Sequence, residues 1–341
     1  MQQLYGDLHG NSRGPMDATR VCCMMWKLKS DTLAKSVACL STEIRVPARE
    51  RTKARRRTKK GILVWAPLRT FSPVGAPDLT GSHDGSVQMW EWGHVQSVAV
   101  PRGPGTFAKV TRVRFSEHGN KFGVGDGDGN LSLWQVGLAS NSSRPFFTNQ
   151  CHSKGTSDFV FLSSCSMVAT AGHSSESKNV ALWDTLLPQK KAMITGMCAV
   201  IAAFSCHDQG ASSVVYAPQH QLLISAGKKG DVCLLDVRQR QVRHRFVAHE
   251  SPVKCLAIDP AEEFFVTGAA DGDIKVWALS GHNALHSFSG EHARSSFFKN
   301  IGQGVTQLHV DGGSRLFSCG ADGSMKVRQL PDRDLAVHTI Y

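Results

Sequence analysis

The 341-residue sequence predicts an all-β fold, a β-propeller assembled from repeated antiparallel blades. Three observations predict it. A strand–turn–strand unit recurs six times, its turns are built on glycine, and four copies end in tryptophan. The copies run from Leu79 to Trp90, Phe122 to Trp134, Val168 to Trp183, Leu223 to Asp236, Phe265 to Trp277 and Leu316 to Arg328. Their equivalent third-strand positions (90, 134, 183, 235, 277 and 328) lie 42 to 52 residues apart, the period of four-stranded blades with loop insertions.

Each element has a mechanical reason. In Asp84-Gly85, Asp271-Gly272 and Asp322-Gly323 the glycine accepts positive φ and closes a tight hairpin. The following strand alternates, with Ile274 and Val276 on one face and Lys275 and Trp277 on the other. A further strand with a turn after it stands upstream, as in Val113–Ser116, Val214–Pro218 and Val253–Pro260. A histidine precedes it at His152, His207, His249 and His292. Residues 63–73 read as the first strand of the first blade. Residues 1–60 read as an atypical, disordered segment, and residues 61–341 as the propeller.

Composition narrows the function classes. An apolar fraction of 41% with 32 glycines is ample for a large core with many turns. The ten cysteines contain no C-x-x-C pair and sit mostly in apolar runs, which reads as reduced core thiols of a cytosolic protein. No apolar stretch approaches the roughly 20 residues of a membrane-spanning helix, and no signal-peptide pattern opens the chain.

The net charge of +11 is concentrated in one place. Arg45, Arg49, Arg51, Lys53, Arg55, Arg56, Arg57, Lys59 and Lys60 stand against Glu50 alone, so residues 45–60 carry +8. This run reads first as a solvated tail and second as a contact for anionic lipid or acidic protein. Nucleic acid comes last, because no aromatic residues interleave to stack bases.

The repeats resemble the WD40 family. In that family a histidine ahead of the blade, a Ser or Thr in its second strand, a turn aspartate and a third-strand tryptophan form a buried hydrogen-bonded network. The resemblance implies these roles for His249, Thr267, Asp271 and Trp277 in blade five. It implies three members in blade one (Thr80, Asp84, Trp90), and His152, Thr170 and Trp183 in blade three. Blade two offers Asp128 and Trp134 but has Val124 at the hydroxyl position. Blade four keeps His207 and Ser225 with Lys229 and Leu235 in place of Asp and Trp. Blade six keeps Ser318 and Asp322 with Arg328 in place of Trp. Blades four and six are therefore expected to be less well specified, since an unpaired buried polar group costs roughly 1–3 kcal/mol. The family more often closes with seven blades than six.

From about Leu79 to Leu330 the chain is similar to a narrower group, the C-terminal propeller of the DmX-like or rabconnectin-3 alpha proteins. The resemblance rests on runs such as Gln150–Lys154, Asn179–Leu186, Phe204–Asp208, Ser289–Arg294 and Leu316–Gly323. It implies a cytoplasmic scaffold related to the RAVE-complex large subunit, promoting V-ATPase assembly and vacuolar or vesicle acidification. V-ATPase peripheral subunits, rabconnectin-3 beta and Rab3 regulators are the implied partners, on synaptic-vesicle or endosomal membranes. The unlike first 60 residues read as a fragment, a short isoform or an imperfect gene model. The long insertions at Ser174 to Asn179, Met193 to Phe204 and Ser289 to Gly302 are the expected binding loops.

Other constellations are weaker. Asp126-Gly127-Asp128-Gly129-Asn130 imitates a calcium loop, but the sixth and twelfth positions are Leu131 and Gly137 where Gly and Glu are required. The glycines at 123, 125, 127 and 129 precede a strand and not a phosphate-binding helix. Cys206 and His207 are adjacent on an extended chain and point apart. No nucleophile, base and orienting group can be assembled. The expectation is a non-catalytic protein with no cofactor, metal or small-molecule substrate.

Overall fold

The computed structural model describes residues 44–45, 68–70, 78–90, 99–102, 108–136, 144–163, 166–175, 178–186, 200–292 and 304–330. These form six four-stranded antiparallel sheets. The first has strands β2 (Leu68–Thr70), β3 (Asp78–Gly81), β4 (Val87–Trp90) and β5 (Ala99–Arg102). The second has β6 (Val110–Phe115), β7 (Lys121–Asp126), β8 (Asn130–Gln135) and β9 (Phe147–Gln150). The third has β10 (Thr156–Phe161), β11 (Met167–Gly172), β12 (Val180–Asp184) and β13 (Val200–Phe204).

The fourth contains β14 (Ala211–Ala217), β15 (Leu222–Gly227), β16 (Asp231–Asp236) and β17 (Gln241–Val247). The fifth contains β18 (Val253–Ile258), β19 (Phe264–Ala269), β20 (Ile274–Ala278) and β21 (Ala284–Phe288). The sixth contains β22 (Val305–Val310), β23 (Arg315–Gly320) and β24 (Ser324–Gln329), completed by β1 (Ile44–Arg45).

That fourth strand comes from the segment set apart in the sequence as atypical. Ile44 pairs with Met325 and Arg45 with Ser324, antiparallel. The chain's first described strand therefore anneals to its last, which covers the open edge that β24 would otherwise present. The family's usual count suggests seven blades, whereas the described residues make six. Met193 to Phe204 also differs from the expected loop, because Val200–Phe204 is the outer strand of the third sheet, paired to Val180–Trp183.

The sheets follow one another in chain order, with innermost strand packed on innermost strand from β2 through β22. Alternation explains how one strand serves two interfaces. On β20, Ile274 and Val276 pack toward the sixth sheet with Val310 and Leu316. Trp277, on the other face, packs with Ile224 and Leu234 of the fourth. On β16, Val232 and Leu234 face the fifth sheet while Cys233 and Leu235 face the third. Both faces of blades two to five are thus buried, and the apolar core is a series of slabs between consecutive blades. Among the described residues no helix is long and apolar enough to cross a membrane.

In each sheet from the second to the sixth, the innermost strand slips register near its start, between Val110/Arg112, Thr156/Asp158, Ala211/Ser213, Val253/Cys255 and Val305/Gln307. Such bulges redirect side chains. Thr111 and Ser212 lie there, and each hydroxyl donates to a backbone carbonyl of the next blade, Thr156 and Val253 respectively.

Candidate functional site

Blades three and five share one arrangement. The Trp183 indole N–H donates to Thr170 Oγ1 at 2.9 Å, and His152 Nε2 lies 3.0 Å from the same oxygen. In blade five the Trp277 indole donates to Thr267 Oγ1 at 3.0 Å, and His249 Nε2 lies 2.7 Å from it. A single hydroxyl thus ties the third strand to the segment that precedes the blade. Burial pushes both imidazoles down to about 4, with Lys275 adding to the effect at His249, so each ring is neutral near pH 7. The exposed Asp271, assigned to this network by resemblance, instead accepts the Asp273 backbone N–H at 3.0 Å and holds its own turn.

Blades four and six differ from the sequence expectation in the other direction. His207 Nδ1 lies 2.6 Å from Asp231 Oδ2, and its Nε2 lies 2.9 Å from Ser225 Oγ. The acid is Asp231, two positions beyond Lys229, which is exposed and paired with Asp208 at 3.2 Å. Leu235 fills the tryptophan's place as a buried apolar group. In blade six, His292 Nε2 lies 2.8 Å from Ser318 Oγ and its Nδ1 3.2 Å from Asp322 Oδ2. Arg328, at the tryptophan position, pairs with Glu291 at 2.8 Å. The histidine and hydroxyl of both blades have partners, contrary to the expectation of half-formed networks.

In blade one, Trp90 donates to Thr80 Oγ1 at 2.8 Å, and Asp84 accepts the Ser86 backbone and hydroxyl at 2.9 and 2.6 Å. Blade two uses different residues from those anticipated. Asp128 is exposed at the turn, while the buried Asp126 accepts the backbone N–H groups of Asp128 and Asn130 at 3.1 and 2.9 Å. Arg102, from blade one's outer strand, donates to Asp126 at 3.1 Å and stands where other blades use histidine. Trp134 finds no hydroxyl because Val124 replaces it. Its indole nitrogen is buried without a hydrogen-bond partner, and the ring stacks on Phe122 at 5.3 Å.

A second set of polar contacts, not foreshadowed by the repeat, joins neighbouring blades through their innermost strands. Asp158, buried on β10, lies 2.8 Å from Arg112 Nε and 2.9 Å from Arg114 Nη2 of the preceding blade. It also accepts the Ser213 hydroxyl at 2.8 Å and the Val214 N–H at 3.1 Å from the following blade. One carboxylate therefore joins three blades. Burial alone would raise its pKa, but Arg112 and Arg114 outweigh that and hold it below the ordinary carboxylate range. At the opposite ends of the inner strands, Glu262 accepts the backbone N–H groups of Gln219 and His220 at 3.0 and 3.2 Å. Only the bulges and turns bring these groups together, and no local motif announces them.

The remaining candidates carry less. Cys206, Cys233 and Cys255 are buried free thiols, and burial raises Cys255 to about 12, far from a reactive thiolate. Among the described residues no cluster of His, Cys, Asp or Glu is arranged to hold a metal. Of the basic run, Arg45 lies in β1. Arg49, Arg51, Lys53, Arg55, Arg56, Arg57, Lys59 and Lys60 lie outside the described residues. The same holds for residues 176–177, 193–199 and 293–302 of the expected binding loops.

Comparison with known proteins agrees with the architecture. The family described as WD domain, G-beta repeat, matches residues 240–278. The chain is 51% identical over 260 residues to DmX-like protein 1 of Mus musculus, covering 75% of this chain and 8% of that protein. It is 50% identical over the same length to DmX-like protein 1 of Homo sapiens, with the same shares. The chain thus spans about 8% of the length of these curated relatives. Among solved structures it is similar to U3-55K, with a TM-score of 0.64 at 16% identity, covering 80% of this chain and 79% of the other. The RRP9 WD40 repeats give 0.65 at 16% identity, covering 80% and 78%. At that identity the likeness speaks for the fold.

Proposed function

Because the chain carries a DmX-like WD40 domain, we propose that it is a protein-interaction scaffold serving V-ATPase assembly and thereby acidification of vesicles or vacuoles. The observation that carries this reading is the 51% identity over 260 residues, which extends well beyond the repeat signature. The physical organisation supports a scaffold. The buried histidines and carboxylates hold blades together, and both faces of the second to fifth sheets are occupied by neighbouring blades. Partner recognition then falls to turns and outer strands displayed by a rigid body.

The proposed partners are V-ATPase peripheral subunits and a second scaffold of the rabconnectin-3 beta kind, with Rab3 regulators in animals. The proposed location is the cytoplasmic face of vesicle or endosomal membranes. Immobilised full-length chain should retain purified V-ATPase peripheral subcomplex from a defined mixture. A chain unfolded at its core by Trp183→Asp should not. Absence of retention by the folded chain, with or without the beta partner, would overturn the V-ATPase reading.

A further inference from the structure

One face of the propeller carries a ring of equivalent junctions, where the start of each innermost strand meets the turn between that blade's second and third strands. Backbone hydrogen bonds define them: Gly127 N to Lys109 O at 2.8 Å, His173 N to Gly155 O at 3.0 Å and Lys228 N to Gly210 O at 3.2 Å. The series continues with Ala270 N to Pro252 O and Ala321 N to Gly304 O, both at 2.9 Å. Blades two, three and four each place an exposed lysine here, Lys109, Lys154 and Lys228. Blades five and six place only small neutral residues at the same junctions. His83, at the matching turn position of blade one, is exposed, but burial and the nearby Lys109 hold its pKa below the ordinary histidine value, so it adds no charge near pH 7.

No acid occupies any of these junction positions. Of the aspartates one position further out, Asp84, Asp271 and Asp322 hold their own turns through backbone N–H groups, Asp128 is exposed at the blade-two turn, and Asp208 is engaged by Lys229 and Arg245. Below the lysines, Arg112 and Arg114 follow Lys109 down β6 with side chains 31% and 24% exposed. The pair shares the single carboxylate of Asp158, so one positive charge is left over. Lys254 is exposed at the equivalent bulge of blade five.

We propose that this basic arc over blades two to four, beside the Arg112–Arg114 pair, docks an acidic, extended segment of a partner protein. Carboxylates fit the chemistry because lysines supply movable point charges at the rim and arginine supplies a planar fork. Arg112 and Arg114 lie further along β6 than Lys109 and are only partly exposed, which favours a peptide side chain over a flat bilayer. Phe, Tyr and Trp are absent from the junction positions, which leaves no platform for stacked bases.

The proposal rests on the scaffold reading and adds the surface and the partner's chemistry. Its test uses the full chain, a fluorescein-labelled Glu–Gly repeat peptide and fluorescence anisotropy at low and physiological salt. The triple variant K109S/K154S/K228S should bind at least about tenfold more weakly. The variant R238S/R243S, altered at exposed positions away from the arc, should bind as the parent does. A Gln–Gly peptide should not bind, and added salt should weaken the Glu–Gly complex.

Equal binding by the triple variant and the parent overturns the proposal, as does failure of the Glu–Gly peptide to bind. Capture of poly(U) or phosphatidylserine vesicles through these lysines, in preference to the peptide, overturns it too. Because the lysines are exposed, circular dichroism should show the variant folded. Failure here with V-ATPase subcomplex still retained removes the surface assignment alone. Loss of retention with peptide binding intact removes the V-ATPase reading alone.

Discussion

His207 and Asp231 make a 2.6 Å contact between the segment ahead of blade four and the first residue of its third strand. The contact is buried, with side chains 0% and 5% exposed, and Ser225 occupies the imidazole's other nitrogen. Burial alone would raise the Asp231 pKa, but its hydrogen bond with His207 and the nearby Arg245 guanidinium hold it below its ordinary value. The acid thus sits beyond the turn glycine and not before it.

Asp231→Ala should therefore destabilise the protein by roughly 2–3 kcal/mol, because it strands a buried imidazole nitrogen. Lys229→Ala, at the position the repeat alignment marks for the acid, should change stability by less than about 0.5 kcal/mol, as expected for an exposed ion pair. Urea unfolding of both variants checks this. Equal effects would show that the alignment position, and not the contact, matters.

Trp183→Phe removes the indole bond to Thr170, whereas Trp134→Phe removes an indole nitrogen that has no partner. The first should cost about 1 kcal/mol more than the second in chemical denaturation. Val124→Thr should supply the missing acceptor and recover about 1 kcal/mol in the Trp134 background but not in Trp134→Phe.

Asp158→Asn should be among the costlier single changes, at roughly 3 kcal/mol, because it leaves Arg112 and Arg114 facing each other near the axis without a counter-charge. Thermal denaturation measures it. Further substitution of Arg112 by Met in that background should restore part of the loss.

The depressed histidines set a pH dependence. His152 and His249 titrate near 4 when folded and near 6.5 when unfolded. The unfolded chain binds more protons between those values, so their contribution is fully present above about 6.5 and is lost as pH falls toward 4. Stability should drop by a few kcal/mol (on the order of 1.4 per unit per group) across that window. The variant His152→Gln should show a shallower slope in urea midpoints measured from pH 7 to pH 4.

Ile44→Pro should uncouple β1 from β24, since proline removes a ladder N–H and is poorly tolerated inside a sheet. The freed edge should show as faster hydrogen exchange at Ser324 and Met325 and as a rise in self-association with concentration. Unchanged exchange there would show that the two strands do not depend on each other.

Legibility followed the range of the interaction. The six sheets could be read from glycine turns and alternating strands because both are set by residues a few positions apart. Thr80, Thr170 and Thr267 were legible as partners of Trp90, Trp183 and Trp277 because the second and third strands form one hairpin, and register fixes which side chains meet. The acids were not. Asp231 and Asp322 both serve a histidine from different turn positions, Asp126 serves an arginine, and Asp271 turns back to its own backbone. A carboxylate within reach of two donors chooses by local geometry that spacing does not encode.

By itself the sequence determined the repeat, and with it the all-β class, the blade hairpins and the residues whose alternation buries both faces. Tertiary structure alone decided how the chain closes and how charge is arranged around the axis. The pairing of Ile44–Arg45 with β24 joins segments roughly 280 residues apart, and no local propensity specifies such a contact. Lys109, Lys154 and Lys228 share a rim, and Arg112, Arg114 and Asp158 share a buried cluster, for the same reason. Each is unremarkable in its own blade, and only the stacking of blades about one axis makes them neighbours.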